Sequence, residues 1–158
     1  MQLAEINIAH LTHEIGHPAV AGFANNLERI NGIAERSDGF VWRYTDDSGN
    51  ATDTQIEADP KVIANVSVWR DVTALEGFVW GTLHKQFYAR RNEWFQAMDR
   101  MGFAMWWVQD GHRPTIAEAV ARLEHLNANG PTDRAFDWAY LKDATRWRAA
   151  RCASIAAE

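Results

Sequence analysis

The segment Val62-Ile-Ala-Asn-Val-Ser-Val-Trp69-Arg-Asp-Val-Thr-Ala-Leu-Glu-Gly-Phe78-Val-Trp80-Gly81, continuing through His84, Phe87 and Arg91 to Trp94, decides the fold. Its first eight residues alternate. Val62, Ala64, Val66 and Val68 are small and apolar, while Ile63, Asn65, Ser67 and Trp69 set polar atoms beside an indole. A period of two with polar groups on one side predicts a strand whose sheet is used on both faces. Asp71, or Thr73 with Glu76 in a capping box, predicts a helix from near Val72. Leu75, Phe78, Val79 and Thr82 keep to one side of that helix, whereas Phe87, Trp94, Phe95 and Met98 fall on a rotated stripe. Gly77 and Gly81 lie where the phase slips, so a long helix, kinked or broken near Gly81, is expected.

On the second stripe stand His84 and Arg91, two turns apart among Trp80, Phe87 and Trp94. An arginine on an apolar face needs a partner or a cavity. One pocket between the long helix and the sheet is therefore expected, with His84 and Arg91 as catalytic groups. Trp69, Trp80, Phe87, Trp94 and Trp107 are its candidate walls, and Asn31 faces in from the first helix. A histidine near neutral pKa can take or return a proton. Arg91 can stabilise an enolate or peroxide oxyanion, with Glu93 as a carboxylate that orients it.

Outward from this segment, Gln2 to Ala9 alternates as a first strand, with Leu3, Glu5, Asn7 and Ala9 on one side. Pro18 opens a helix that carries Val20, Phe23, Ala24, Leu27, Ile30 and Ala34 on one face. Phe40 to Asp46 is a strand, Thr52 to Glu57 an edge strand or arm, and Phe103 to Val108 the last main strand. Thr115 with Glu118 caps a helix that Gly130 and Pro131 end. Ala135 to Ala157 reads as an added helix. The order gives an α+β class: a ferredoxin-like βαββαβ antiparallel sheet with helices on one face. The other face, with Leu3, Val41 and Ile63, calls for a second subunit's sheet, hence a homodimer. Residues 1–130 form that domain, and 131–158 are its helical extension.

The runs Gly39-Phe-Val-Trp-Arg43, Asn65-Val-Ser-Val-Trp69, Arg90-Arg-Asn-Glu-Trp-Phe95, Trp106-Trp-Val108 and Gly111-His-Arg-Pro-Thr115, together with His84, resemble a known bacterial family. It is a domain of unknown function (DUF3291) of the dimeric α/β barrel superfamily, similar to antibiotic-biosynthesis monooxygenases. The resemblance covers about residues 2 to 130. It implies a dimeric barrel with a pocket between sheet and helices, and Asn7 and His84 match positions used in barrel oxygenases and haem-degrading relatives. The function expected is an enzyme without a cofactor, oxygenating, cyclising or isomerising a polyketide-like or aromatic small-molecule substrate. A non-catalytic ligand-binding or interaction barrel is the alternative, and haem binding or degradation the third reading.

Composition narrows the partners. A net charge of -5 gives no basic footprint for nucleic acid and no polybasic membrane patch. Cys152 is the single cysteine, so neither an internal disulfide nor a thiolate metal cage is expected. No leader and no spanning segment are read, which suggests a cytoplasmic protein. His13-Glu14-Ile15-Gly16-His17 spells a zinc-type H-E-x-x-H, but Gly16 and Pro18 put the helix start after the second histidine, so no metal is expected there.

Overall fold

Alternation over Gln2–Leu11 makes the central strand β1 of the computed structural model, which describes residues 1–155, with side chains through Cys152. β1 pairs antiparallel with β3 (Val62–Trp69), whose other edge takes β2 (Phe40–Arg43). On its far side β1 carries two strands end to end: β5 (Phe103–Val108) opposite Gln2 to Asn7, and β4 (Phe95–Gln96) opposite His10 and Leu11. The sheet is antiparallel and five-stranded. With α1 (Ala21–Ala24), α2 (Leu27–Glu35), α3 (Val72–Gly81), α4 (His84–Ala89), α5 (Ile116–Asn129) and α6 (Thr145–Ile155), the class is α+β.

Register fixes which side chains share a face, because successive residues point to opposite sides. Ala4, Ile6 and Ile8 sit beside Val66, Val68, Ala104 and Trp106, all buried under Ala119, Leu123 and Leu126 of α5. Leu3, Trp69 and Met105 occupy the other face, under Leu75 of α3 and Phe136. Helices therefore pack on both faces, not on one. The face assigned to a second subunit is covered by this chain itself at its Leu3 end, where Leu3 is fully buried and Met105 and Phe136 exchange backbone hydrogen bonds of 2.8 and 2.9 Å along the edge of β5, while Asn7 and Asn65 farther along stay exposed.

Asp71, rather than Thr73, caps α3, accepting from the Ala74 amide at 2.8 Å. Glu76 is turned inward and accepts from the Trp147 amide at 2.8 Å, which fastens the start of α6 to α3. Gly39, at φ 78°, is where β2 approaches α3: a Cβ there would lie 2.5 Å from the Ala74 methyl.

The expected long helix is several pieces. α3 ends at Gly81, and Thr82 is extended; its hydroxyl donates to the Phe78 carbonyl at 2.7 Å and accepts from the His84 amide at 3.2 Å. One side chain thus closes α3 and opens α4. After a 3₁₀ turn at Arg91–Glu93, the stretch expected to stay helical reverses. Trp94 packs with Leu11 and Val20, and Phe95 and Gln96 complete the edge of β1, where open backbone groups need partners.

The first helix is likewise split into a 3₁₀ turn at Pro18–Val20, α1 and α2. The Asn26 side chain donates to the Gly22 carbonyl at 2.9 Å, a local bond that competes with helix continuation. α5 begins at the Thr115 cap, which the Glu118 amide meets at 3.1 Å, and ends before Gly130. The added helix is shorter than expected. Ala135 to Ala144 runs irregularly, burying Phe136, Leu141 and Ala144, because Phe136 is tied to Met105 and Asp137 holds the Tyr140 amide. Ala156 and Ala157 lie outside the described residues. Among the described residues no helix is long and apolar enough to cross a membrane.

Candidate functional site

The face of β1 and β3 that carries Leu3 and Trp69 is only partly roofed. Between it, α2, the α3–α4 break and the segment after Phe136 lies a cavity of about 870 Å³. Alternation puts Glu5, Asn7, Asn65 and Ser67 on its floor, with Asn7 directly opposite Asn65. Asn7 therefore lines the cavity.

Glu5 is the residue that sequence reasoning missed. It is 6% exposed, and burial pushes its carboxyl up to about 8, against the Ser67 hydrogen bond that lowers it. The bonding around it has a fixed direction. An indole can only donate, and Trp69 Nε1 donates to Ser67 Oγ at 2.8 Å. Ser67 turns its own proton to Glu5 Oε1. The neutral carboxyl must then hold its proton on Oε2, which has no partner among the described residues. A protonated acid stands in the floor of a mostly apolar cavity.

His84 lines the same cavity from the first turn of α4, its ring 4.7 Å from that of Phe78, which in turn stacks on Trp69 at 5.2 Å. Burial holds its imidazole below the ordinary value, partly opposed by the Val79 carbonyl. That carbonyl only accepts, so Nδ1, 3.4 Å away, carries the proton and Nε2 is left as the base.

Of the walls expected, Trp69, Trp80, Phe87 and Trp94 line the cavity, as does Asn31, which donates to Asn50 Oδ1 at 2.6 Å. Trp107 does not. It lies on the correct side of β5 but beyond the helices, 39% exposed, with its ring 6.2 Å from that of Phe136. Arg91 lines the cavity, yet it is not on a buried helix stripe. It sits exposed in the 3₁₀ turn, donating to the Tyr88 carbonyl at 3.0 Å. Glu93 does not orient it: Glu93 pairs with Arg90, at 2.8 and 2.7 Å.

Residues 2–152 match the family described as a domain of unknown function, DUF3291. The chain belongs to it. No curated protein matches this DUF3291 chain. Among solved structures it is similar to PA3566 from Pseudomonas aeruginosa, with 15% identity over 66% of this chain and 88% of that one, at a TM-score of 0.43. It is also similar to NE2512, a protein of unknown function from Nitrosomonas europaea, with 11% identity over 72% and 95% of the two chains, at 0.48.

Two further features of the DUF3291 chain bear on a site. A cleft of about 340 Å³ beside α3 is lined by Arg70, but that guanidinium is already held by Asp38 and Asp71. The His13-Glu14-His17 run is a loop, not a helix. Its two imidazoles stack at 4.1 Å, and His17 Nδ1 accepts from the Ala19 amide to cap the Pro18 turn.

Proposed function

We propose that this chain is a small-molecule enzyme that moves protons on a conjugated carbonyl compound, as an isomerase or cyclase. The observation that carries the reading is the pairing, in one aromatic-walled cavity, of a protonated Glu5 held by Ser67 with a neutral His84. His84 Nε2 takes a proton from the carbon next to the carbonyl, and Glu5 Oε2–H gives its proton to the carbonyl oxygen. The enol so formed is reprotonated at the far end of the conjugated system by the imidazolium, and Glu5 recovers its proton as the carbonyl reforms. The cycle balances without an oxidant, which favours isomerisation or cyclisation over oxygenation. The indoles keep water from the enol.

The strand order β5-β1-β3-β2 supports a ferredoxin-like arrangement, and the family resemblance supports pairing of two chains as in a dimeric α/β barrel. Since this chain's own residues cover the Leu3 end of that face, the pairing would use another surface. Trp107 and Tyr140, both about 40% exposed on either side of buried Phe136, supply one.

Hydrogen–deuterium exchange at the acidic carbon of conjugated ketones, followed by NMR in D2O, tests the chemistry. The parent should catalyse exchange in a window bounded below by His84, under 6.5, and above by Glu5, at about 8. Glu5→Gln and His84→Ala should each lose about 100-fold or more. Ketones that quench tryptophan fluorescence on binding, yet exchange no faster than in buffer, would leave a binding barrel instead.

A further inference from the structure

Charge is distributed unevenly between the molecule and its cavity. The whole chain carries -5, yet among the described residues that face the cavity stand four arginines, Arg43, Arg91, Arg100 and Arg151, with the two carboxyls of Glu5 and Asp137. Arg43 and Arg100 are matched by Glu35 and Glu57, which stand outside it. Arg91 differs. No carboxylate pairs with it among the described residues; its guanidinium donates one N–H to the Tyr88 carbonyl and lies 4.4 Å from the centre of the Tyr88 ring.

A guanidinium has five N–H donors in a planar fork, so most of Arg91's remain unused. Stacking on Tyr88 holds that fork while leaving its edge open, which is the geometry that takes a carboxylate through two parallel bonds. The aromatic wall runs inward from this point, Tyr88 meeting Trp80 edge-on at 5.3 Å. Flat apolar surface thus leads from an unmatched cation at the exposed turn to the acid and base within.

We propose that the cavity takes an aromatic or polyene carboxylate, with its carboxylate on Arg91 and its conjugated carbonyl between Glu5 and His84. The orientation rests on the proton-transfer reading; the anion preference rests on Arg91 and its open fork alone.

Matched probes test it. Anthracene-9-carboxylate and 9-anthracenemethanol share their ring and differ in charge, and both absorb tryptophan emission. Titrated at pH 7 and 0.15 M salt, the parent should bind the carboxylate at least about 10-fold more tightly, and Arg91→Met should bring the two within about twofold while Tm is kept. Arg91→Lys should keep part of the preference, as a point charge without the fork. Equal affinities in the parent, or an undiminished preference in Arg91→Met, overturn the inference and leave the exchange chemistry to its own assay. If the parent binds neither probe, the inference falls together with the aromatic-cavity reading beneath it.

Discussion

A single carboxyl decides much of how this chain responds to pH. Glu5 has a folded pKa of about 8 against the ordinary 4.5, so between those values the folded state holds a proton that the unfolded state has released. Stability is fully present below pH 4.5 as far as this group is concerned, and it falls as pH rises towards 8. At about 1.4 kcal/mol per unit, the loss by pH 8 is on the order of 4 kcal/mol. Glu5→Gln keeps the shape and cannot ionise, so its Tm should stay level from pH 5 to 8 where the parent's declines. Parallel melting curves across that range check it, and a parent curve as flat as the variant's would contradict it. The carboxyl was legible in one sense, since it shares Leu3's side of the central strand. That this parity points inward was not legible, because it depends on where α3 lands. Trp107 shows the converse: its parity is right, but the roof does not reach that end of β5. Arg91 was selected for a helical stripe that does not exist, and its place at the cavity survives on different grounds.

Among the elements, those whose caps are written locally were the readable ones: the β1 and β3 alternation, the start of α3 at Asp71, and α5 between Thr115 and Gly130. The pieces from His84 to Gln96 were not, since their ends are set by partners distant in sequence. Leu11 and His10 recruit Phe95 and Gln96, and no periodicity within the segment announces that. Where an element meets another closely, substitutions should register sharply. Gly39→Ala combines a left-handed backbone with a methyl 2.5 Å from Ala74. It should cost roughly 2 kcal/mol or more, from about 1 to 2 for the backbone and the rest for displacing α3. Urea unfolding would show the midpoint fall with an unchanged slope, and a loss under half a kcal/mol would mean that α3 yields easily.

At the scale of the whole molecule, the class was readable from element order, but the covering of the sheet was not. The return of Phe136 to Met105 and the docking of α5 on the Ile6 face are long-range choices, and the first of them covers the Leu3 end of the face that suggested a partner. If two chains pair through the exposed aromatic row of Trp107 and Tyr140, light scattering should give twice the 17.9 kDa chain mass. Trp107→Glu should then give single chains that melt within a few degrees of the parent at high dilution. A parent that is already a single chain at millimolar concentration would end the pairing proposal. The division of the cavity between floor and rim has a consequence for how such proteins diverge. The floor lies on the two central strands, where Glu5 and Ser67 are buried in the packed sheet, whereas α4 and the turn after it bury no residue at all. Substitutions at Phe87, Tyr88 or Arg91 can therefore reshape the rim at little cost to folding, while Glu5 beneath stays in place. If the cavity works as proposed, its chemistry and its specificity would be separable.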